Sequence, residues 1–200
     1  YARVALGDVR AAQSHLEEAL ALARELGLER EVMAAMSLLT QVFRHTGALA
    51  EAAALCDDSL ALARRLDDAE AVALTLLNGV MIALQRGGAD PIPAMLQEAL
   101  RLFEASGDVA AVQFLLDVAS GLAASRHDFE RAARYFGASE ALAEQTKMRR
   151  DFADEAFMQP FLAATRVALG PDAFRRSEHA GRELEHPAAL AEMKDWFATL

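Results

Sequence analysis

The side chains best suited to chemistry in this chain are five histidines, one cysteine and several paired acids. The histidines show no HxxxH or HExxH spacing, so they do not predict a metal site. Acid pairs such as Asp57-Asp58 fall near helix ends or on exposed faces, whereas acid–base catalysis needs burial or a partner that shifts the pKa. No glycine-rich phosphate loop, GxSxG turn or Cys/His pairing occurs. We therefore expect a non-enzymatic protein without cofactor or metal.

Two further positions carry reactive or charged groups. Cys56 falls on the same repeat phase as Leu16, Leu96 and Phe136, which favours a small buried hydrophobe over a reactive thiol. A single cysteine excludes an intrachain disulfide and fits a reducing compartment. Arg44-His45 allows two interpretations: the pair binds a carboxylate on a partner, or it opposes the dipole at a helix C-terminus.

The composition indicates which elements must position these groups. Hydrophobic residues make up 54% of the 200 and aromatic residues only 6%, with five prolines and eleven glycines, which is typical of helices rich in Ala and Leu. The formal charge of −10 repels phosphate backbones, so direct nucleic-acid binding is not expected. We find no run of about 18 apolar residues and no signal peptide, and expect a cytoplasmic protein. The start at Tyr1 suggests a fragment or processed product.

A forty-residue repeat runs through the chain. Its clearest phases hold breakers at Gly7, Gly47, Gly87 and His127, and mostly small residues at Ala12, Ala52, Ile92 and Ala132. A fixed period of this size predicts stacked helical hairpins. We place four such units in residues 1–146, the first one truncated, and a C-terminal helical cap in residues 147–200, because the end of such an array needs a different outer face.

Breaker and capping residues predict the helix bounds. The predicted helices are 8–26, 29–45, 48–66, 68–85, one from Asp90-Pro91 to 105, one from the cap Asp108 to about 125, and 128–146. In the cap, Asp151 should start a helix to Leu169 with a kink or break at Pro160. Gly170-Pro171 should restart it, Gly181 should end it, and His186-Pro187 should open a last helix to Leu200.

The small–large–small pattern early in the second helices, Ala12/Leu16/Ala19 and Ala132/Phe136/Ser139, resembles the tetratricopeptide repeat. Ile92 departs from that pattern, and the longer period resembles the MalT-like subtype. The resemblance implies an all-α, right-handed α–α superhelix.

The stretch from Arg131 to Leu142, RAARYFGASEAL, is similar to the last repeat of large bacterial ATP-binding LuxR-type transcriptional regulators and their cyclase-fused relatives, as are Leu169-Gly170, Ala173-Phe174 and Gly181. No GxxxxGK[ST] motif or LuxR-type helix-turn-helix occurs in these residues, so any ATP-binding module is expected elsewhere in the parent chain.

The resemblance implies a protein-interaction or signal-sensing module that binds a partner protein, a peptide or a small inducer in its concave face. By this analogy the first helix of each pair lines that face, and its solvent-facing positions are Ser37, Gln41, Arg44, His45, Leu77, Met81, Gln85, Asp117, Gly121 and Ser125.

Two alternatives remain open. Leu77 and Met81 have the spacing of ordinary core residues. The last helix carries a stripe of Leu190, Met193, Phe197 and Leu200 beside Trp196, which either docks onto the preceding helices or forms a dimer or interdomain contact. With an apolar edge near Val4 and Leu6, this leaves a homo-oligomerisation domain that uses its terminal helices as the alternative function.

Overall fold

The computed structural model describes residues 9–88, 92–107 and 109–200, apart from the side chains of 109 and 110. The predicted helix starts at Asp90-Pro91 and Asp108 and the edge near Val4 and Leu6 lie outside these ranges. The described residues form nine α-helices: α1 Val9–Glu25, α2 Glu29–Thr46, α3 Leu49–Arg65, α4 Ala69–Gln85, α5 Ile92–Ser106, α6 Val109–Ser125, α7 Phe129–Thr146, α8 Phe152–Arg182 and α9 His186–Phe197.

The helices pack as consecutive antiparallel pairs, which confirms the predicted all-α fold and its hairpins. The predicted bounds of α2, α3, α4 and α7 agree with the structure within one residue at each end. The first helices of successive pairs, α2, α4 and α6, also contact one another. We call these three helices the inner row.

A left-handed residue follows each of the first seven helices. Positive φ angles occur at positions spaced by 20, namely Gly27, Gly47, Asp67, Gly87, Gly107, His127 and Lys147. At Gly47 the turn is closed by two backbone hydrogen bonds, from Gly47 N to Arg44 O and from Ala48 N to Phe43 O. The same two bonds recur after α3 and α6. This geometry satisfies carbonyls that the helix end leaves free, and it divides each forty-residue unit into two equal halves.

Small side chains at the predicted repeat phases lie in the core. Ala52, Ala99, Ala132 and Ser139 are all at most 1% exposed, which lets paired helices approach closely. Cys56 is also buried, and its thiol donates to the Thr75 carbonyl at 3.3 Å. Burial raises the pKa of Cys56 to about 12, which confirms its interpretation as a core residue rather than a reactive thiol.

Two of the three features predicted for the first part of α8 are confirmed by the structure. Asp151 caps the helix and accepts hydrogen bonds from the backbone N–H groups of Ala153 and Asp154, as predicted. Gly170 leaves the helical region, with φ 70° and ψ 170°, and confirms the predicted restart. Of the kink or break predicted at Pro160, the break is wrong, because the backbone stays helical there. Pro160 and Ala156, whose carbonyl loses its donor, both lie on the exposed face, where water can replace the lost bond.

Gly181 does not end α8 as predicted, since the helix continues to Arg182. Its role is close packing. A Cβ at Gly181 would collide with the backbone carbonyl of Arg134 in α7, and a Cβ at Gly137 in α7 would collide with the carbonyl of Glu178 in α8. The two glycines therefore bring the backbones of α7 and the second half of α8 into contact. The last helix, α9, packs on α5, α6 and α7.

Candidate functional site

The beginning of α8 returns to the inner row and is held there by a buried ion pair. Arg44 of α2 donates from Nη1 to Asp154 Oδ1 at 2.9 Å and to Asn78 Oδ1 at 2.8 Å. Its other nitrogens face Gln85 Oε1 at 3.5 Å and Met81 Sδ at 2.7 Å. The Arg44 side chain is 0% exposed. A buried guanidinium is tolerated only when its donors find partners, and these four residues supply them.

A second buried pair lies next to the first. Both Arg150 Nε and Nη2 donate to Asp117 of α6 at 2.8 Å, and Ser139 Oγ donates to the same carboxylate at 2.6 Å. Arg150 also pairs with Glu140. Burial raises the pKa of Asp117 to about 6, against the opposing effect of Arg150 and Ser139. The carboxylate is therefore mostly ionised at neutral pH and loses its charge in mild acid.

These two pairs hold both ends of one segment, residues 148–154, which we call the strap. Between Arg150 and Asp154, the Phe152 ring contacts the exposed His45 ring edge-on at a centroid distance of 4.9 Å. Burial and the neighbouring charge of Asp154 raise the pKa of Asp151, while its helix-capping hydrogen bonds oppose that shift. The strap is thus joined to α2 at one end and to α6 and α7 at the other.

A cleft of about 510 Å³ lies between the inner row and the strap. Its apolar lining comes from Leu74, Leu77 and Met81 of α4, Phe114 of α6, and Met148 and Phe152 of the strap. Its polar lining comes mainly from Ser37, Gln41, Asn78, Asp151, Asp154, Arg149 and Arg150. The volume and the mixture of apolar surface with a few polar groups are typical of small-molecule sites. We call this feature the inner cleft.

One polar atom of the inner cleft is unsatisfied. The side-chain oxygen of Gln41 is buried and has no hydrogen-bond partner among the described residues. Buried amide oxygens normally accept a hydrogen bond. The inner cleft therefore offers an acceptor for an N–H or O–H donor.

The structure brings most of the predicted site residues together, but not at an open surface. Ser37, Gln41, Leu77 and Met81 line the inner cleft, and Gln85 accepts from Arg44. Ser125 lies at the exposed end of α6, where its hydroxyl donates to the Leu122 carbonyl, and it does not line the cleft.

The expectation that all of these positions face solvent is wrong. Arg44, Leu77, Met81 and Asp117 are at most 2% exposed, and Gly121 is also buried, beneath the Phe157 ring of α8. The cause is that the strap and α8 cover the inner row. The burial of Leu77 and Met81 supports the alternative that they are core residues, and Arg44 binds a carboxylate of its own chain.

Sequence reasoning missed the residues that close the site. Asp154 and Arg149 are not among the predicted site residues because residues 147–200 are predicted to form a terminal cap. Asn78 and Phe114 lie on helices of the inner row, but at positions that are not predicted to face solvent. Asp154 lies 110 residues from Arg44, and no local pattern connects the two. The basic pair Arg149-Arg150 beside the cap residue Asp151 is the one signal that the sequence offers for this segment.

The terminal stripe is covered within the chain. Met193 and Phe197 are 0% exposed, Trp196 is 9% exposed and Leu190 is half-buried. The Trp196 ring lies 4.7 Å from the Arg131 guanidinium and 5.8 Å from the Tyr135 ring. This supports docking of α9 onto the preceding helices, the first of its two interpretations.

Comparison with known proteins gives no assignment: no protein-family model matches the chain, and a search of curated proteins finds no match. Among the residues that the structure describes, no helix is long and apolar enough to cross a membrane. Within the same residues, no three His, Cys, Asp or Glu side chains cluster closely enough to hold a metal ion.

Proposed function

We propose that this chain is a non-catalytic sensor module that binds an effector in the inner cleft. The observation that carries the proposal is a cleft of about 510 Å³ whose two walls are distant in sequence, the inner row on one side and the strap on the other. An effector that touches both walls binds best at one particular separation between them. Such a preference for one arrangement is what converts binding into a conformational signal.

The geometry of the strap supports this mechanism. Its two ends are fixed by the Arg44–Asp154 and Arg150–Asp117 pairs, and α8 continues directly from it. A change in the strap is therefore passed to α8 and to the α7 backbone that Gly181 contacts. In this proposal residues 1–146 form a right-handed superhelix of tetratricopeptide-like repeats, and residues 147–200 form its cap.

The resemblance of Arg131–Leu142 and of the C-terminal region extends the proposal to the parent protein. We propose a bacterial LuxR-type transcriptional regulator, in which the cleft controls an ATP-binding module elsewhere in the chain. The reading frame upstream of Tyr1 tests this directly. A GxxxxGK[ST] motif that follows a strand and opens a helix is expected there, and its absence from the complete parent chain would remove the regulator from the proposal.

The function of the cleft is tested by filling it. Ser37→Phe places an aromatic ring into the cleft from the half-buried Ser37 of α2, and should abolish the response of a reporter gene controlled by the full parent protein. Ser14→Phe makes the same substitution at an exposed position of α1 outside the cleft and should leave the response intact. An unchanged response in a folded, normally abundant Ser37→Phe protein would refute the sensor proposal.

A second candidate function, homo-oligomerisation, rests on the first described helix rather than on α9. Leu22 in the last turn of α1 and Leu26 and Leu28 in the turn that follows it are 54%, 60% and 43% exposed. Exposed apolar patches often mark protein contacts. Sedimentation velocity over a range of concentrations tests this: Leu26→Glu should convert any dimer to monomer, whereas a chain that is monomeric at all concentrations contradicts the candidate.

A further inference from the structure

We propose that the effector is a small amphiphilic anion: an apolar body, an N–H or O–H donor, and a carboxylate or sulfonate group. The inference rests on the proposed function of the inner cleft and adds the chemical class of its ligand. It follows from the size of the cleft, from its one unsatisfied acceptor and from the guanidinium of Arg149, which is unpaired among the described residues.

Size favours a small molecule as the ligand. The inner cleft measures about 510 Å³, within the usual range of small-molecule pockets, and is bounded on one side by the strap. A small molecule occupies this volume without displacing the strap or its two buried ion pairs.

The apolar body is placed by the lining of the cleft. Leu77 and Met81 form the buried floor of the cleft, and the apolar side continues through Leu74 and Phe114 to Met148 and Phe152 of the strap. The apolar surface of the cleft that still meets water belongs to the half-buried Leu74, Phe114 and Phe152 and the exposed Met148. An apolar group of the ligand removes that surface from water, which favours binding. The buried side-chain oxygen of Gln41 lacks a donor, so a ligand N–H or O–H beside the apolar body satisfies it.

The charge of the ligand follows from the pairing of the other ionised groups. Asp154 is paired with Arg44, and Arg150 with Asp117 and Glu140. Asp151 accepts hydrogen bonds from two backbone N–H groups of α8. Arg149 also lines the cleft, is exposed, and has no acidic partner among the described residues. Within the same part of the chain Asp151 has no cationic partner either, but its carboxylate already accepts these two hydrogen bonds at the start of α8. In the described ranges, the Arg149 guanidinium is thus the charged group of the lining that has neither a counter-ion nor a hydrogen-bond partner. It favours an anionic group on the ligand.

Two dyes with the same skeleton test this class. 1-Anilinonaphthalene-8-sulfonate carries an apolar body, an N–H donor and a sulfonate, and N-phenyl-1-naphthylamine lacks only the sulfonate. Fluorescence titration of the folded chain should show one site per chain, occupied by the sulfonate dye ~10-fold more tightly than by the neutral dye. Arg149→Gln should weaken the sulfonate dye by roughly three- to tenfold and leave the neutral dye unchanged. Arg101→Gln, at an exposed arginine of α5 outside the cleft, should change neither.

Ser37→Phe separates failure of this inference from failure of the proposed function. The substitution should weaken both dyes, and Ser37→Leu serves if the larger side chain prevents folding. If Ser37→Phe weakens both dyes but Arg149→Gln affects neither, the cleft binds ligands without selecting an anion, and the inference is overturned while the sensor proposal stands. If Ser37→Phe and Ser37→Leu, both folded, affect neither dye, the dyes bind elsewhere and the inference is overturned, and the reporter response of Ser37→Phe then decides the sensor proposal separately.

Discussion

Breaking the Arg44–Asp154 pair should destabilise the protein far more than breaking an equally short pair on its surface. In the buried pair the side chains of Arg44 and Asp154 are 0% and 9% exposed, and the nitrogen and oxygen are 2.9 Å apart. Removing one charge leaves the other buried without its counter-ion, which costs about 3–5 kcal/mol. Asp154→Asn keeps the shape of the side chain and removes its charge, so it is the cleanest perturbation.

The matched control is the Arg64–Glu98 pair. Its nitrogen–oxygen distance is 2.8 Å, but its side chains are 53% and 32% exposed. Water screens this pair, so Glu98→Gln should cost about 0–1 kcal/mol. The two substitutions differ chemically only by one methylene, and burial is therefore the variable under test.

Urea unfolding followed by circular dichroism measures both variants, and thermal unfolding provides a second readout. For a chain of this length, a loss of ~3–5 kcal/mol lowers the Tm by roughly 6–20 °C. Arg44→Met should cost about as much as Asp154→Asn. The double variant Arg44→Met/Asp154→Leu should cost less than the sum of the single changes, because no buried charge is left unpaired.

Two results would refute this reasoning. If Asp154→Asn and Glu98→Gln destabilise the protein by the same amount within ~0.5 kcal/mol, burial does not set the value of the pair. If the effects of Arg44→Met and Asp154→Leu simply add, the two side chains are not energetically coupled and the strap is not held by their contact.

Three other measurements test further features of the structure. The Asp117 carboxyl resonance should titrate near pH 6 rather than near 3.8. Because the folded state then binds the proton more tightly than the unfolded state, the contribution of Asp117 to the free energy of unfolding is greatest below pH 3.8 and declines as the pH rises to about 6. Asp117→Asn should remove that decline. Gly181→Ala should lower the free energy of unfolding in urea by ~1–3 kcal/mol, because the added Cβ forces α8 away from the Arg134 carbonyl. In the control Gly88→Ala the added Cβ makes only an ordinary contact, so the free energy of unfolding should change by less than ~0.5 kcal/mol. Iodoacetamide should leave Cys56 unmodified in the native chain and modify it rapidly in urea, since its pKa is raised to about 12 by burial; fast native labelling would contradict the burial.

The helices were predictable because their signals are local. Apolar spacing, the Asp128 and Asp151 caps and the left-handed Gly47 act within a few residues of the elements they define. The failures at Pro160 and Gly181 share one physical cause. The effect of each residue depends on what lies beside the helix, open solvent at Pro160 and the α7 backbone at Gly181, and the identity of the residue does not contain that information.

The candidate site divides in the same way. The sequence by itself determined a chain of helical hairpins and placed Ser37, Gln41, Leu77 and Met81 on the first helices of successive pairs, because the forty-residue period repeats the same order of helices. Only the tertiary structure decided that α8 returns to the inner row and that its carboxylate at Asp154 reaches Arg44 across 110 residues. Contacts between residues so far apart in sequence depend on how each of the intervening hairpins packs on the next, and no short stretch of residues encodes that packing.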